Sequence, residues 1–199
     1  MKAFGFLIAA ACIVGAAAAA EPVAMVTDLK GSVTQSAQKA ERLALLSYLE
    51  PGARLRLDAG ASLVITYFAR ATQVALAGPA EALVEAGGVR MLSGAPPQIR
   101  SLDAASAGAA KKFEPLQRDR LAMATFQMRG AKPRPQADAA TAKRLAAARP
   151  APGAPFSERL LYAVQLETAG LADEARQAWA ALAKERPDDP GLKEWLERR

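Results

Sequence analysis

Alternation with a period of two is the clearest pattern in this chain, and it is densest between Pro51 and Pro79. Leu55 and Leu57 fall on one face of an extended segment and Arg54 and Arg56 on the other, as a half-buried antiparallel strand requires. The run Val64-Ile65-Thr66-Tyr67-Phe68 is β-branched and aromatic, and Thr72 to Ala77 is a third extended stretch. Pro51-Gly52, Asp58-Ala59-Gly60 and Gly78-Pro79 punctuate these runs as turns. Upstream, Val23 to Leu29 and Ser32 to Gln35 read as strands joined at Gly31, where a positive φ or a bulge is expected. Residues 36–50 fit either a helical turn or a strand, and strand is the reading favoured by their neighbours. Ala80 to Glu85 and Val89 to Leu92 add two short strands around Gly87-Gly88, and the pattern stops at Gly94-Ala95-Pro96-Pro97. Residues 21–100 therefore read as an all-β unit, a sandwich, barrel or roll.

The period then changes. Residues 101–112 are small and polar and read as a linker or a weakly ordered edge, and together with a packing helix they fill 101–130. That helix is expected from Glu114 to Arg129, with Pro115 in its first turn, Gly130 as its stop and Leu121, Thr125 and Met128 along one stripe. Residues 131–155 form a Pro- and Ala-rich basic spacer in which Leu145 is the sizeable apolar residue of the inner segment. From 156 to 199 the spacing becomes helical. Phe156 and Leu161 fit a staple around an N-cap at Ser157, and Gly170 ends the first helix. A second helix runs from Ala172 to Arg186 with Ala175, Ala178, Trp179 and Leu182 on one face. Asp189 and Pro190 start a short third one that buries Leu192, Trp195 and Leu196. The expected fold class is α+β: an N-terminal β sandwich or roll, then a C-terminal α-helical hairpin with a cap helix.

Composition changes this picture in two ways. Residues 1–20 read as a secretory signal peptide, with Lys2, an apolar run from Phe4 to Val14 and Ala18-Ala19-Ala20 before Glu21. The mature chain is expected in the periplasm or outside the cell, with no transmembrane span left after cleavage near Ala20. Cys12 sits within that apolar run, and Ala9-Ala10-Ala11 lacks the leucine that a lipoprotein signal favours, so Cys12 is read as a residue discarded with the leader rather than an acylated anchor. Without it the mature chain has no cysteine and hence no disulfide. The chain also has no histidine, which removes the commonest general base and metal ligand. No cofactor, metal ligand or catalytic residue is expected. Asp58, Glu81, Glu85, Asp173, Glu174, Asp188 and Asp189 are acids of the right type for catalysis, but turns, caps and solvated faces account for them.

Charge supplies the second change. The net charge is +6, and the segment from Arg100 to Arg149 holds eleven Lys or Arg against four acids. Lys111, Lys112, Lys132, Arg134, Lys143 and Arg144 are candidate contacts to an anionic polymer or membrane surface. Phe113 and Phe126 are the aromatics of that segment, too sparse for base stacking, and no nucleic-acid partner is expected.

Two regions resemble known families. Leu29-Lys30-Gly31-Ser32-Val33, Leu49-Glu50-Pro51-Gly52-Ala53-Arg54-Leu55, Gly60-Ala61-Ser62-Leu63-Val64-Ile65-Thr66-Tyr67 and Val74-Ala75-Leu76-Ala77-Gly78-Pro79 resemble, in order and spacing, the periplasmic domain of the FecR family. Those envelope proteins are related to the relay from an outer-membrane transporter to an inner-membrane anti-sigma factor. The resemblance implies an exported all-β interaction domain and no site chemistry. This chain has no cytosolic anti-sigma segment to carry the family's direct regulatory mechanism. At the other end, Tyr162, Ala163, Leu166, Gly170, Ala175, Trp179, Leu182 and Pro187 are similar to one tetratricopeptide repeat. One repeat cannot bury its own apolar face, so this unit must dock on something.

The expectation for function is a non-enzymatic interaction or scaffold module of the bacterial envelope, related to signal relay. Its partner is expected to be a protein, through Arg54 and Arg56 on the β unit and Tyr162, Trp179 and Trp195 on the hairpin. At helical spacing the latter three also suit a core. The alternative is an electropositive binder of an anionic envelope polymer or membrane surface through Arg100 to Arg149.

Overall fold

The computed structural model describes residues 21–36, 40–113 and 138–197. The strands are β1 (Ala24–Lys30), β2 (Val33–Ser36), β3 (Ala40–Arg42), β4 (Tyr48–Leu49), β5 (Arg54–Leu57), β6 (Ser62–Tyr67), β7 (Thr72–Ala77), β8 (Ala80–Glu85), β9 (Gly88–Ser93) and β10 (Gln98–Ser101). The helices are α1 at 104–113, α2 (Ala139–Ala147), α3 (Phe156–Ala169), α4 (Ala172–Glu185) and α5 (Pro190–Glu197). The α+β class is as expected.

The strands pair antiparallel into two five-stranded sheets, ordered β10-β7-β6-β1-β4 and β3-β2-β5-β8-β9. Alternation along β5 buries Leu55 and Leu57 and exposes Arg54 and Arg56. Leu63 and Ile65 of β6 and Ala82 and Val84 of β8 are wholly buried, so each sheet turns one apolar face to a shared core. The corner between the sheets falls at Gly31, which links β1 of the first to β2 of the second at φ 77°. A Cβ there would meet Ala61 Cα at 3.0 Å, so the position demands glycine for both its dihedral and its room. The ambiguous stretch 36–50 contributes two very short strands, β3 and β4, separated by a turn.

Two sequence expectations are corrected on the far side of β10. The linker at 101–112 is instead the end of β10 followed by α1. Its small residues let a helix approach closely: Ala107 and Ala110 are buried, and Phe113 is wholly so. Asp103 caps it, accepting from Ser106 N at 2.9 Å and from Ser106 Oγ at 2.5 Å. The helix of the first hairpin arm begins two residues earlier than expected, with Pro155 rather than Ser157 at the cap position and no side-chain cap bond. Ser157 is therefore inside the helix and buried. The continuation expected from Glu114 to Arg129 lies outside the described residues. Gly170 closes α3 in the left-handed region, and Asp189 caps α5 through Leu192 N at 3.0 Å, both as the sequence suggests.

The helical unit does not stand alone. α3 packs on β1, and the buried residues of sheets and helices join one apolar cluster. Phe113 of α1 stacks on Trp179 of α4 at 5.9 Å and meets Trp195 of α5 at 4.5 Å. Arg186, just past α4, donates to Asp28 at 2.7 Å and to the Leu29 carbonyl at 3.1 Å, while its guanidinium lies 3.6 Å from the centre of the Phe156 ring. Gly191 lets α5 reach the turn after β3, because a Cβ there would fall 2.2 Å from the Leu45 carbonyl oxygen. The apolar face that a lone repeat leaves open is thus covered from within the chain.

Candidate functional site

The outer side of the hairpin carries a groove of about 620 Å³ between α3, α4 and the segment Arg149 to Pro152. Arg159, Tyr162 and Leu166 recur at helical spacing along one stripe of α3, and Glu174, Gln177, Ala178 and Ala181 do the same along α4. Pro150 and Pro152 form the third wall, stiffened by their fixed φ. Arg159 braces that wall, donating to the Ala154 carbonyl at 3.0 Å and pairing with Glu185 at 2.6 Å. Arg149 and Glu174 are exposed at the rim. The result is an apolar floor with one hydroxyl, one amide and opposite charges around it. Such a surface can hold an extended, amphipathic chain by burial and a few directed hydrogen bonds.

Tyr162 occupies the pivotal place. It is half-buried and lines both this groove and a neighbouring one of about 380 Å³ formed with α1, α2 and the end of β10. Burial pushes its phenol above the ordinary range; Arg149 pulls against this and Glu174 adds to it. Its hydroxyl is therefore neutral at physiological pH and can donate as well as accept.

The other expected contacts separate. Trp179 is 0% exposed and Trp195 is 4% exposed, so both are corrected from contact residues to core: α1 brings Phe113 over them and closes that face of the hairpin. Arg54 and Arg56 are exposed, on the outer face of the second sheet rather than near Tyr162. Among the expected basic contacts, Lys111 and Lys112 are exposed on α1, Lys143 and Arg144 are exposed on α2, and Lys132 and Arg134 lie outside the described residues. Arg100 is neutralised by an ion pair with Glu158. Of the groove residues, Arg159 and Gln177 were not singled out in the sequence, and Arg149 stood there only as the end of the basic segment. Their spacing relative to Tyr162 and Ala178 was available, but not the docking of the 149–152 segment.

Most of the acids that sequence alone leaves as catalytic candidates have local structural work. Glu85 pairs with Arg90, Asp173 with Arg176, Asp188 with Lys193, and Asp189 caps α5. The close Ser106–Asp103 pair is the α1 cap, further held by Gln165 Nε2 donating to Ser106 Oγ at 2.6 Å. Among the described residues no group of three or more acids or other ligand types could hold a metal ion, and no helix is long and apolar enough to cross a membrane. No protein-family model, curated protein or solved structure matches this chain.

Proposed function

We propose that this chain is an exported, non-enzymatic interaction or scaffold module of the bacterial envelope, related to signal relay, that holds an extended segment of a partner protein in the groove beside Tyr162. The observation that carries the reading is the groove itself: an apolar floor with a neutral phenol at its centre, walled by two helices and a proline segment. The FecR-like spacing of the β unit and the repeat-like spacing of the hairpin support the same class, and the leader at residues 1–20 supports the compartment. On this reading the β unit and α1 act as a rigid seat, since they cover the inner face of the hairpin and leave its outer face open for a partner.

A photo-crosslinking amino acid placed at Tyr162, with a matched one at exposed Glu50, tests this in the native compartment. A discrete crosslinked partner from position 162 alone is expected, and Ala178→Trp, which fills the floor, should abolish it. The same crosslinks from both positions, or crosslinks unaffected by A178W, would sink the reading.

A further inference from the structure

The outer face of the second sheet has a charge pattern that the groove does not use. Cross-strand register places Arg42, Thr34, Arg56, Glu81 and Ser93 on one rung that runs through all five strands. The next rung carries Ala40, Ser36, Arg54, Leu83 and Arg90. Four guanidinium groups therefore share two neighbouring rungs with one carboxylate. Arg90 is taken up by Glu85, but Arg42, Arg54 and Arg56 are exposed and have no carboxylate within ion-pair distance among the described residues.

Spacing and shape narrow the partner. Arg54 and Arg56 point the same way from one strand, about 7 Å apart, and Arg42 stands two strands away from Arg56, about 10 Å. No two of these arginines stand directly opposite each other, so the fold tolerates them with little cost while their charge stays available to an outside anion. All three are arginines, whose planar fork grips phosphate through two parallel hydrogen bonds where a lysine offers a point charge. Arg54 and Arg56 border none of the three grooves beside the helices, while Arg42, on the edge strand, borders one of them with Asp188 and Asp189, so the face is a flat array around Arg54 and Arg56 with a groove at its edge. A flat array of phosphate-binding forks fits a surface that is itself planar and studded with phosphates.

We propose that Arg42, Arg54 and Arg56 dock the protein on the phosphate headgroups of an anionic phospholipid bilayer, with the sheet lying flat on the membrane and the Tyr162 groove left for its partner. Attraction of this kind is strongest at low ionic strength and fades as salt shortens its range.

Vesicle co-sedimentation of the purified mature chain tests the proposal, using phosphatidylglycerol mixed with phosphatidylcholine against phosphatidylcholine alone. Binding is expected to the mixed vesicles only and to weaken with added salt. Each arginine removed should weaken it about fivefold, so Arg54→Gln with Arg56→Gln should cost about 25-fold. Lys143→Gln with Arg144→Gln removes the same charge from α2 and should change binding less than about twofold, because those residues lie off the docking face. Arg54→Lys with Arg56→Lys keeps the charge and the strand but removes the forks, and should fall between wild type and the Gln pair. Equal losses from the two charge-matched pairs would overturn the proposal in favour of undirected net charge. Binding to soluble polyphosphate with none to vesicles would overturn it in favour of an anionic polymer. Equal binding to both vesicle types would overturn it by showing that the net negative charge of the bilayer plays no part.

Discussion

Two regions of this molecule are built on arginine, and they use it in opposite ways. At the joint between sheets and helices, Arg186 spends its guanidinium on Asp28, a main-chain carbonyl and the face of Phe156 at once. On the outer face of the second sheet, Arg42, Arg54 and Arg56 make no ion pair with the described residues and stay in solvent. The same side chain is a strut in one place and a free contact in the other. What separates them is desolvation: the side chains of Arg186 and Asp28 are only 16% and 20% exposed, so their attraction is poorly screened and neither can be removed without stranding the other. Solvated arginines contribute little to folding, which leaves them available for binding.

The contrast can be broken by measurement, beginning with the core that the joint protects. Trp179→Ala should lower stability by about 3–5 kcal/mol in a denaturant melt, because Phe113 and Trp195 would line the cavity it leaves. A loss below about 1 kcal/mol would mean that the hairpin is not seated as described. Arg186→Ala comes next, at about 2–3 kcal/mol, read from the same midpoint; a loss no larger than that of Arg56→Gln would dissolve the distinction between strut and contact. Asp103→Asn should cost about 1 kcal/mol by weakening the α1 cap.

That substitution also has a pH signature. Burial tends to raise the Asp103 carboxyl, but hydrogen bonds from Ser106 and the neighbouring backbone outweigh it and hold the group below its usual range. Its folded value is depressed, so its stabilising effect is full above the unfolded carboxylate range and disappears as pH falls through the depressed value. Asp103→Asn should therefore flatten the acid limb of the stability curve, as followed by urea midpoints from neutral to acid pH. Arg54→Gln and Arg56→Gln stand last, with shifts within about 0.5 kcal/mol each, since nothing in the fold leans on their charge.

The β unit was legible because its signal is local. Leu55 and Leu57 alternate with arginines, Gly and Pro mark the corners, and the observed β5, β6 and β7 begin where the pattern begins. How the strands sort into two sheets was not legible, because β1 leaves the first sheet and β2 enters the second across Gly31 alone in character, and pairing partners lie far along the chain. Arg42 was missed as a neighbour of Arg56 for that reason: β3 is three residues long and has no period of its own. At the other end, helical spacing gave the boundaries of α3, α4 and α5 closely, and it marked Trp179 and Trp195 as apolar-face residues. It could not say what covers them. The cover, α1, is made of Ala, Ser and Gly with two Lys and one Phe at its end, a composition that reads as linker until a partner close enough to bury small side chains is known. Tyr162 stood out as a residue, but its groove depends on where residues 149–152 settle, which is tertiary information.

The aromatic cluster has a practical corollary. Both tryptophans of the chain are in it, their rings 5.6 Å apart, and neither sheet contains another. Fluorescence excited selectively at tryptophan is thus a spectroscopic gauge of one location, the seam where α1 meets the hairpin, and is blind to the strands, whose fluorophores are the tyrosines Tyr48 and Tyr67. Followed beside the far-ultraviolet dichroism of the whole backbone, it distinguishes a molecule that melts as one cooperative body from one whose helices peel away first: coincident curves mean the former, an earlier fluorescence transition the latter.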